Sequence, residues 1–173
     1  MNEFRESIKD YGRDIRLNIS AILGENGAAG LNPGQTWGVA LACAYSTRNP
    51  ALISAVQRRA SELVSPEYVE AAKAASTIMA MNNVYYRFTH LVEDREFANM
   101  PARLRMNIMS SPGIPKVDFE LMCLAISAIS GCGACMNSHV DQARKGGLST
   151  EGIQSAVRIA SVLNAASQAS LIG

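Results

Sequence analysis

Residues 118–139 read DFELMCLAISAISGCGACMNSH, and the fold turns on how this stretch divides. The run from Leu121 to Ile129 is apolar or small throughout. Gly131 then breaks the helix that this run forms, and Cys132 starts a new one. Between Glu120 and Asp141 no residue is formally charged, so a carboxylate, two thiols and an imidazole sit in or beside an apolar segment. The same grammar extends outward in both directions. Phe4, Ile8, Tyr11, Ile15, Ile19 and Ile22 follow one another at steps of three and four, the mark of an amphipathic helix. Asn49-Pro50 offers a cap followed by proline at the first helical position, Ser65-Pro66-Glu67 repeats that device, and Ser149 opens a final apolar helix. Breakers gather at Gly24–Gly34 and Ser110–Pro115. No segment sustains the alternation of a strand. The expectation is an all-α bundle, helix-rich, with two main loops at about 24–34 and 110–116.

With 173 residues, 48% of them hydrophobic, the chain can bury a core as one domain without metal or disulfide staples. Its 16 basic and 15 acidic residues are interspersed, for a formal net charge of +1. That balance supplies no electrostatic reason for a nucleic-acid or anionic-membrane partner. No apolar run approaches the ~20 residues of a membrane span. Met1–Asp14 mixes acids with bases and lacks the apolar core of an export signal. A cytoplasmic location is therefore expected, where the thiols of Cys43, Cys123, Cys132 and Cys135 are kept reduced. There, a close cysteine pair reads as redox or metal chemistry.

A shift of 84 residues aligns Leu41–Asn83 with Ala125–Ser167 without a gap and with seven identities, among them Ser65/Ser149 and Glu67/Glu151. Both segments run apolar helix, short break, helix, Ser-x-Glu start, apolar helix, so the single domain 1–173 reads as an internal duplication. In this register Arg48, Ala51 and Ala55 stand opposite Cys132, Cys135 and His139, which places the chemistry in the second copy.

Each residue of the polar constellation has a physical task. An unperturbed thiol is mostly protonated at neutral pH, and burial raises its pKa further, so something must favour the thiolate. A helix N-terminus does so for Cys132. His139, four residues beyond Cys135, can take that thiol's proton, and the Glu120 carboxylate can orient and steady the imidazolium. A thiol oxidised to a sulfenic acid is caught by its neighbour as a disulfide before further oxidation. Either cysteine could be the nucleophile: position at the helix start favours Cys132, the spacing to His139 favours Cys135.

The pattern Glu120–x11–Cys132–x2–Cys135–x3–His139 resembles that of the alkylhydroperoxidase D (AhpD) family, within the carboxymuconolactone decarboxylase-like fold. Asp14–Asn18, Ser46–Pro50, Met79–Val84, Leu104–Ile108 and Pro112–Pro115 resemble it too, so the likeness covers most of the chain. It implies an all-helical duplicated subunit, a homotrimer, and an antioxidant enzyme that reduces alkyl hydroperoxides through a Cys132/Cys135 disulfide cycle. In the roles so implied, Cys135 becomes the sulfenic acid, Cys132 donates a proton and resolves the disulfide, and Glu120 and His139 relay protons. The likeness also implies that electrons come from the dihydrolipoamide of a lipoyl protein, with its dehydrogenase, and pass on to the peroxiredoxin AhpC. No bound cofactor or metal is expected: no Gly-x-Gly-x-x-Gly follows a predicted strand, so an external dithiol must close the cycle. One departure stands out. Some members carry histidine before the second cysteine, where this chain has Ala134.

Blander readings apply elsewhere. Cys43 and Cys123 read as small core residues. Met79, Met81, Met106 and Met109 read as packing residues, Trp37 as a core anchor and His90 as a surface or packed histidine. A structural zinc site formed by Cys132, Cys135 and His139 with Cys123 or Glu120 is the first competing function, although its ligands crowd one helical face. A member of the same fold without peroxidase activity is the second, against which the paired thiols argue.

Overall fold

The computed structural model describes residues 1–173 and contains nine α-helices and no strand. In chain order they are α1 (Asn2–Ser7), α2 (Arg13–Ile22), α3 (Pro33–Thr47), α4 (Pro50–Ala60), α5 (Pro66–Leu91), α6 (Glu96–Asn99), α7 (Lys116–Ser130), α8 (Gly133–Lys145) and α9 (Thr150–Leu171). Single 3-10 turns occur at Asp10–Gly12 and Asn107–Met109.

Two helices form the centre. α3 is buried from Gln35 to Ala44 and α7 from Asp118 to Ser127, so both are apolar around most of their circumference. They can pack closely because Gly38 carries no side chain: a Cβ there would lie 2.6 Å from Met122 Cε and 3.2 Å from a Tyr68 ring carbon. α5 and α9 pack against both central helices, α8 against α7, and α2 against α9.

Helix starts follow local chemistry. Asn32 and Gln35 form a reciprocal capping box, each side chain accepting from the other's backbone N–H at 2.8 and 3.0 Å. Asn49 Oδ1 accepts from Ala51 and Leu52 N–H at 3.0 and 3.2 Å, with Pro50 at the first helical position as expected. Ser149 Oγ accepts from Gly152 N–H at 3.1 Å. Ser65 precedes Pro66 as expected but makes no hydrogen bond to the helix backbone. The Ser65 side chain and a backbone N–H instead favour the Glu67 carboxylate, holding that group below the usual carboxylate range.

Two expectations are corrected. The periodic segment from Phe4 to Ile22 is not one helix: it breaks at Ile8, whose ψ of 121° is extended, and resumes at Arg13. The break leaves the Ile8 carbonyl to the Arg16 guanidinium, which donates to it at 2.5 Å. It also presses Gly12 against Ile8 and Ala169, with no room for a side chain. Tyr11 consequently stays 56% exposed, anchored only by its hydroxyl on the Ala169 carbonyl. The second loop is longer than expected: irregular chain runs from Val92 to Pro115, interrupted by α6 and the second 3-10 turn.

Candidate active site

At the end of α7 Gly131 adopts φ 70°, a left-handed conformation that costs a glycine little, and the chain turns into α8. Cys132 is the N-cap of α8, its sulfur accepting from the Cys135 N–H at 3.3 Å. The sulfurs of Cys132 and Cys135 are at bonding distance, as a disulfide with Cα atoms 5.3 Å apart. Sequence spacing alone places this pair at a helix start, and the structure does the same.

One turn beyond Cys135 on α8, His139 meets Glu120 of α7. The His139 Nδ1 to Glu120 Oε2 distance is 2.7 Å, and both groups are buried, 6% and 4% exposed. With the carboxylate ionised, Nδ1 is the donor, and Nε2 is the ring nitrogen left for chemistry. Glu120 has a second effect: burial first, and then this carboxylate's charge, push the Cys123 thiol well above its ordinary pKa. Burial alone does the same to Cys43. Both thiols lie in the core, unpaired.

Asp118, two residues before Glu120, anchors this region. It is 4% exposed, and it accepts hydrogen bonds from Gln35 Nε2 at 2.7 Å and from the Tyr68 hydroxyl. Burial, with Asp118's hydrogen bond and charge, pushes the Tyr68 pKa up to about 12. The starts of α3, α5 and α7 are thereby tied together at the level of the Glu120–His139 pair.

A cavity of about 370 Å³ opens onto Cys135, lined by Met79, Asn82 and Tyr86 of α5, by Met106 and Met109, and by Ala134, Cys135, Ser138 and His139 of α8. Cys135 borders this cavity; Cys132, fully buried, does not. A depression of about 420 Å³ near Met1, Trp37 and Arg59 contains no thiol or imidazole.

Of the residues picked from sequence, Glu120, Cys132, Cys135 and His139 come together here. His90 is exposed in the last turn of α5, and Trp37 is in the core. Met79, Met106 and Met109, read as packing residues, also form the apolar wall of the cavity. Sequence reasoning missed Asn82, Tyr86 and Ser138. Their signal was weak: Met79, Asn82 and Tyr86 share one helical face, but nothing in the chain says what that face meets. No group of three or more His, Cys, Asp and Glu side chains is arranged to hold a metal ion.

Comparison with known proteins gives a consistent result. The carboxymuconolactone decarboxylase family model matches residues 95–171. An alkyl hydroperoxide reductase AhpD from Coxiella burnetii (strain RSA 493 / Nine Mile phase I) is 46% identical over 172 residues, 99% of this chain and 97% of the relative. Proteins of the same name from Rhodopseudomonas palustris (strain BisB18) and Brucella suis (strain ATCC 23445 / NCTC 10510) are 47% and 45% identical. These alignments cover 94% and 96% of this chain, and 88% and 93% of the relatives.

Proposed function

This chain belongs to the AhpD family of alkyl hydroperoxide reductases, and from that premise we propose that it reduces organic hydroperoxides through a dithiol/disulfide cycle at Cys132 and Cys135. The observation that carries the assignment of roles is the asymmetry of the pair: Cys135 borders the cavity together with His139, while Cys132 is buried behind it.

In the reduced enzyme His139, steadied by Glu120, takes the Cys135 proton. The thiolate attacks the terminal oxygen of ROOH. An S–O bond forms as the O–O bond breaks, and the imidazolium returns its proton to the departing alkoxide, giving ROH. The Cys132 sulfur then attacks the Cys135 sulfenic sulfur. The S–O bond breaks, and hydroxide leaves with the Cys132 proton as water. The sum is ROOH plus two thiols giving ROH, water and one disulfide.

An external dithiol must reopen the disulfide. It reaches the sulfur facing the cavity, that of Cys135, and expels Cys132 as a thiolate at the N-terminus of α8, where backbone N–H groups favour the anion. We assign the donor as the dihydrolipoamide of a lipoyl protein kept reduced by its dehydrogenase, and the peroxiredoxin AhpC as a further acceptor. No helix is long and apolar enough to cross a membrane. A homotrimer working in the cytoplasm completes the reading.

The same reading takes the chain as a duplication of α3–α5 and α7–α9. The caps Ser65 and Ser149 keep the register of the sequence comparison, whereas the caps Asn49 and Cys132 pair one residue out of it, which sets Cys132 against Asn49 instead of Arg48.

The test is hydroperoxide consumption driven by dihydrolipoamide, with and without a peroxiredoxin, on wild type, Cys132→Ser and Cys135→Ser. Loss of turnover in both variants, with a trapped sulfenic acid on Cys135 in Cys132→Ser, is expected. A sulfenic acid trapped only on Cys132 would reverse the roles.

A further inference from the structure

The two central helices end alike but for one residue. α7 ends on Gly131, left-handed at φ 70° and ψ 32°, and α3 ends on Arg48, left-handed at φ 59° and ψ 17°. Each is followed at once by the N-cap of the next helix, Cys132 or Asn49. Glycine adopts this conformation freely, whereas a side chain crowds its own backbone, so an arginine retained here points to a use for its guanidinium. Arg48 lines a cavity of about 230 Å³ together with Tyr45 and Ser46 of α3, Val84 and Arg87 of α5 and Ser130 of α7. Both arginines are exposed, and neither is in an ion pair. Arg87 Nη1 donates to the Ser130 carbonyl at 2.6 Å, which leaves the rest of its fork unbonded. No carboxylate lines the cavity. The nearest further charges, Lys73 and Glu70, both act on the Tyr45 hydroxyl and pair with each other at 2.7 Å. Two uncompensated positive charges therefore stand here, beside a Val84 that is 61% exposed.

This spot adjoins the redox pair. Ser130 lies two residues before Cys132, and a Cβ added at Gly131 or Gly133 would meet nothing within 4 Å, so the turn between cavity and sulfurs is bare. Arg87 directly follows Tyr86, which lines the cavity of Cys135. The two cavities thus open on adjacent faces of α5, and a helix diameter, about 10 Å, separates them. Resting on the lipoyl-donor reading, we propose that Arg48, Val84 and Arg87 form the docking face for the protein that carries the reducing dithiol, and that this partner presents carboxylates there. Exposed arginines around an apolar residue match the make-up of contact surfaces, and their sign selects an acidic partner. Once docked, the partner needs only a flexible arm to bring its dithiol to Cys135. The Cys132–Cys135 disulfide then opens to two thiols while the carrier's two thiols close to a disulfide, so two electrons and two protons pass to this chain.

The experiment follows reduction of the disulfide form by two donors: free dihydrolipoamide, which is uncharged, and a lipoylated carrier protein of net negative charge kept reduced by its dehydrogenase. Arg48→Glu with Arg87→Glu reverses both charges. Arg48→Gly with Arg87→Gln only removes them, and its glycine suits the left-handed position, so this second pair keeps the test open should reversal disturb folding. With the carrier, the second-order rate should fall about tenfold on reversal and about threefold on neutralisation. Raising salt from about 0.05 to about 0.5 M should slow the wild type and leave the reversed variant nearly unchanged. With free dihydrolipoamide every variant should stay within about twofold of wild type. An unchanged carrier rate would overturn the proposal, and so would an equal loss with both donors, which would place the effect on the redox pair. A variant whose oligomeric mass differs from that of wild type would also overturn it, by showing that a second copy of this chain covers the face. Wild type reduced by free dihydrolipoamide but by no lipoylated carrier would instead sink the lipoyl-protein reading itself.

Discussion

Replacing Glu120 by glutamine removes a charge and keeps a shape. The new amide oxygen can still accept a hydrogen bond from His139 Nδ1 across the 2.7 Å that separates the wild-type pair. In the proposed relay, what disappears is the ionised acceptor behind the imidazolium that forms when Cys135 loses its proton. Both side chains belong to residues 6% or less exposed, so little solvent screening replaces it. A hydrogen bond to a charged group contributes about 1.5–3 kcal/mol, against about 0.5–1.5 for a neutral one. The thiolate–imidazolium state therefore loses about 1–2 kcal/mol, and the attack on hydroperoxide should slow by about 5- to 30-fold. Sulfenic-acid trapping under single-turnover conditions measures this step without the reducing half of the cycle. His139→Gln should be slower still, because it removes the base itself. A Glu120→Gln enzyme within about twofold of wild type beside an inactive His139→Gln enzyme would refute the relay and leave Glu120 as a helix-start acid.

Tyr68→Phe removes the hydroxyl bonded to Asp118. Because folding raises the Tyr68 pKa from 10.0 to about 12, its stabilisation is complete below pH 10 and is lost as pH climbs toward 12. The alkaline slope of urea-unfolding stability over that window should flatten in the variant, and an unchanged slope would contradict the assignment. Gly38→Ala places a methyl group against Met122 and the Tyr68 ring. It should cost about 1–3 kcal/mol, a fall of several degrees in Tm; equal melting curves would show that α3 and α7 have slack. In the reduced native protein a thiol reagent should titrate one cysteine per chain, Cys135, and, after denaturation, four, since Cys43, Cys123 and Cys132 are buried. Four reactive thiols without denaturation would contradict the packing of α3 and α7.

The parts readable in the sequence were those decided locally. Gly131 before Cys132 announces a helix end and a helix start within two residues, and Asn49-Pro50 carries its capping chemistry in its own side chains. The constellation from Glu120 to His139 spans one helix–turn–helix unit, so spacing alone brings its members together. The segment around Ile8 misled because its apolar period continues through the break. Helical spacing does not show that the Arg16 guanidinium replaces the missing helical donor, and Gly12 was the only hint. Ser65 likewise has the residue type of a cap, but its side chain accepts no hydrogen bond from the helix backbone. The place of Asn82 was out of reach for another reason: Met106, Met109 and the α8 residues that share its cavity lie more than 20 residues away along the chain, and only tertiary packing brings them to it.

Because Cys132 is sealed in the interior and Cys135 alone faces the cavity, oxidant and reductant must use the same doorway in turn. Such an enzyme obeys ping-pong kinetics, with parallel lines in double-reciprocal plots. It also slows when either substrate is in large excess, since a dithiol lodged in front of the reduced pair keeps hydroperoxide out. The ratio of the two substrates, more than the level of either, then sets the rate at which peroxide is cleared.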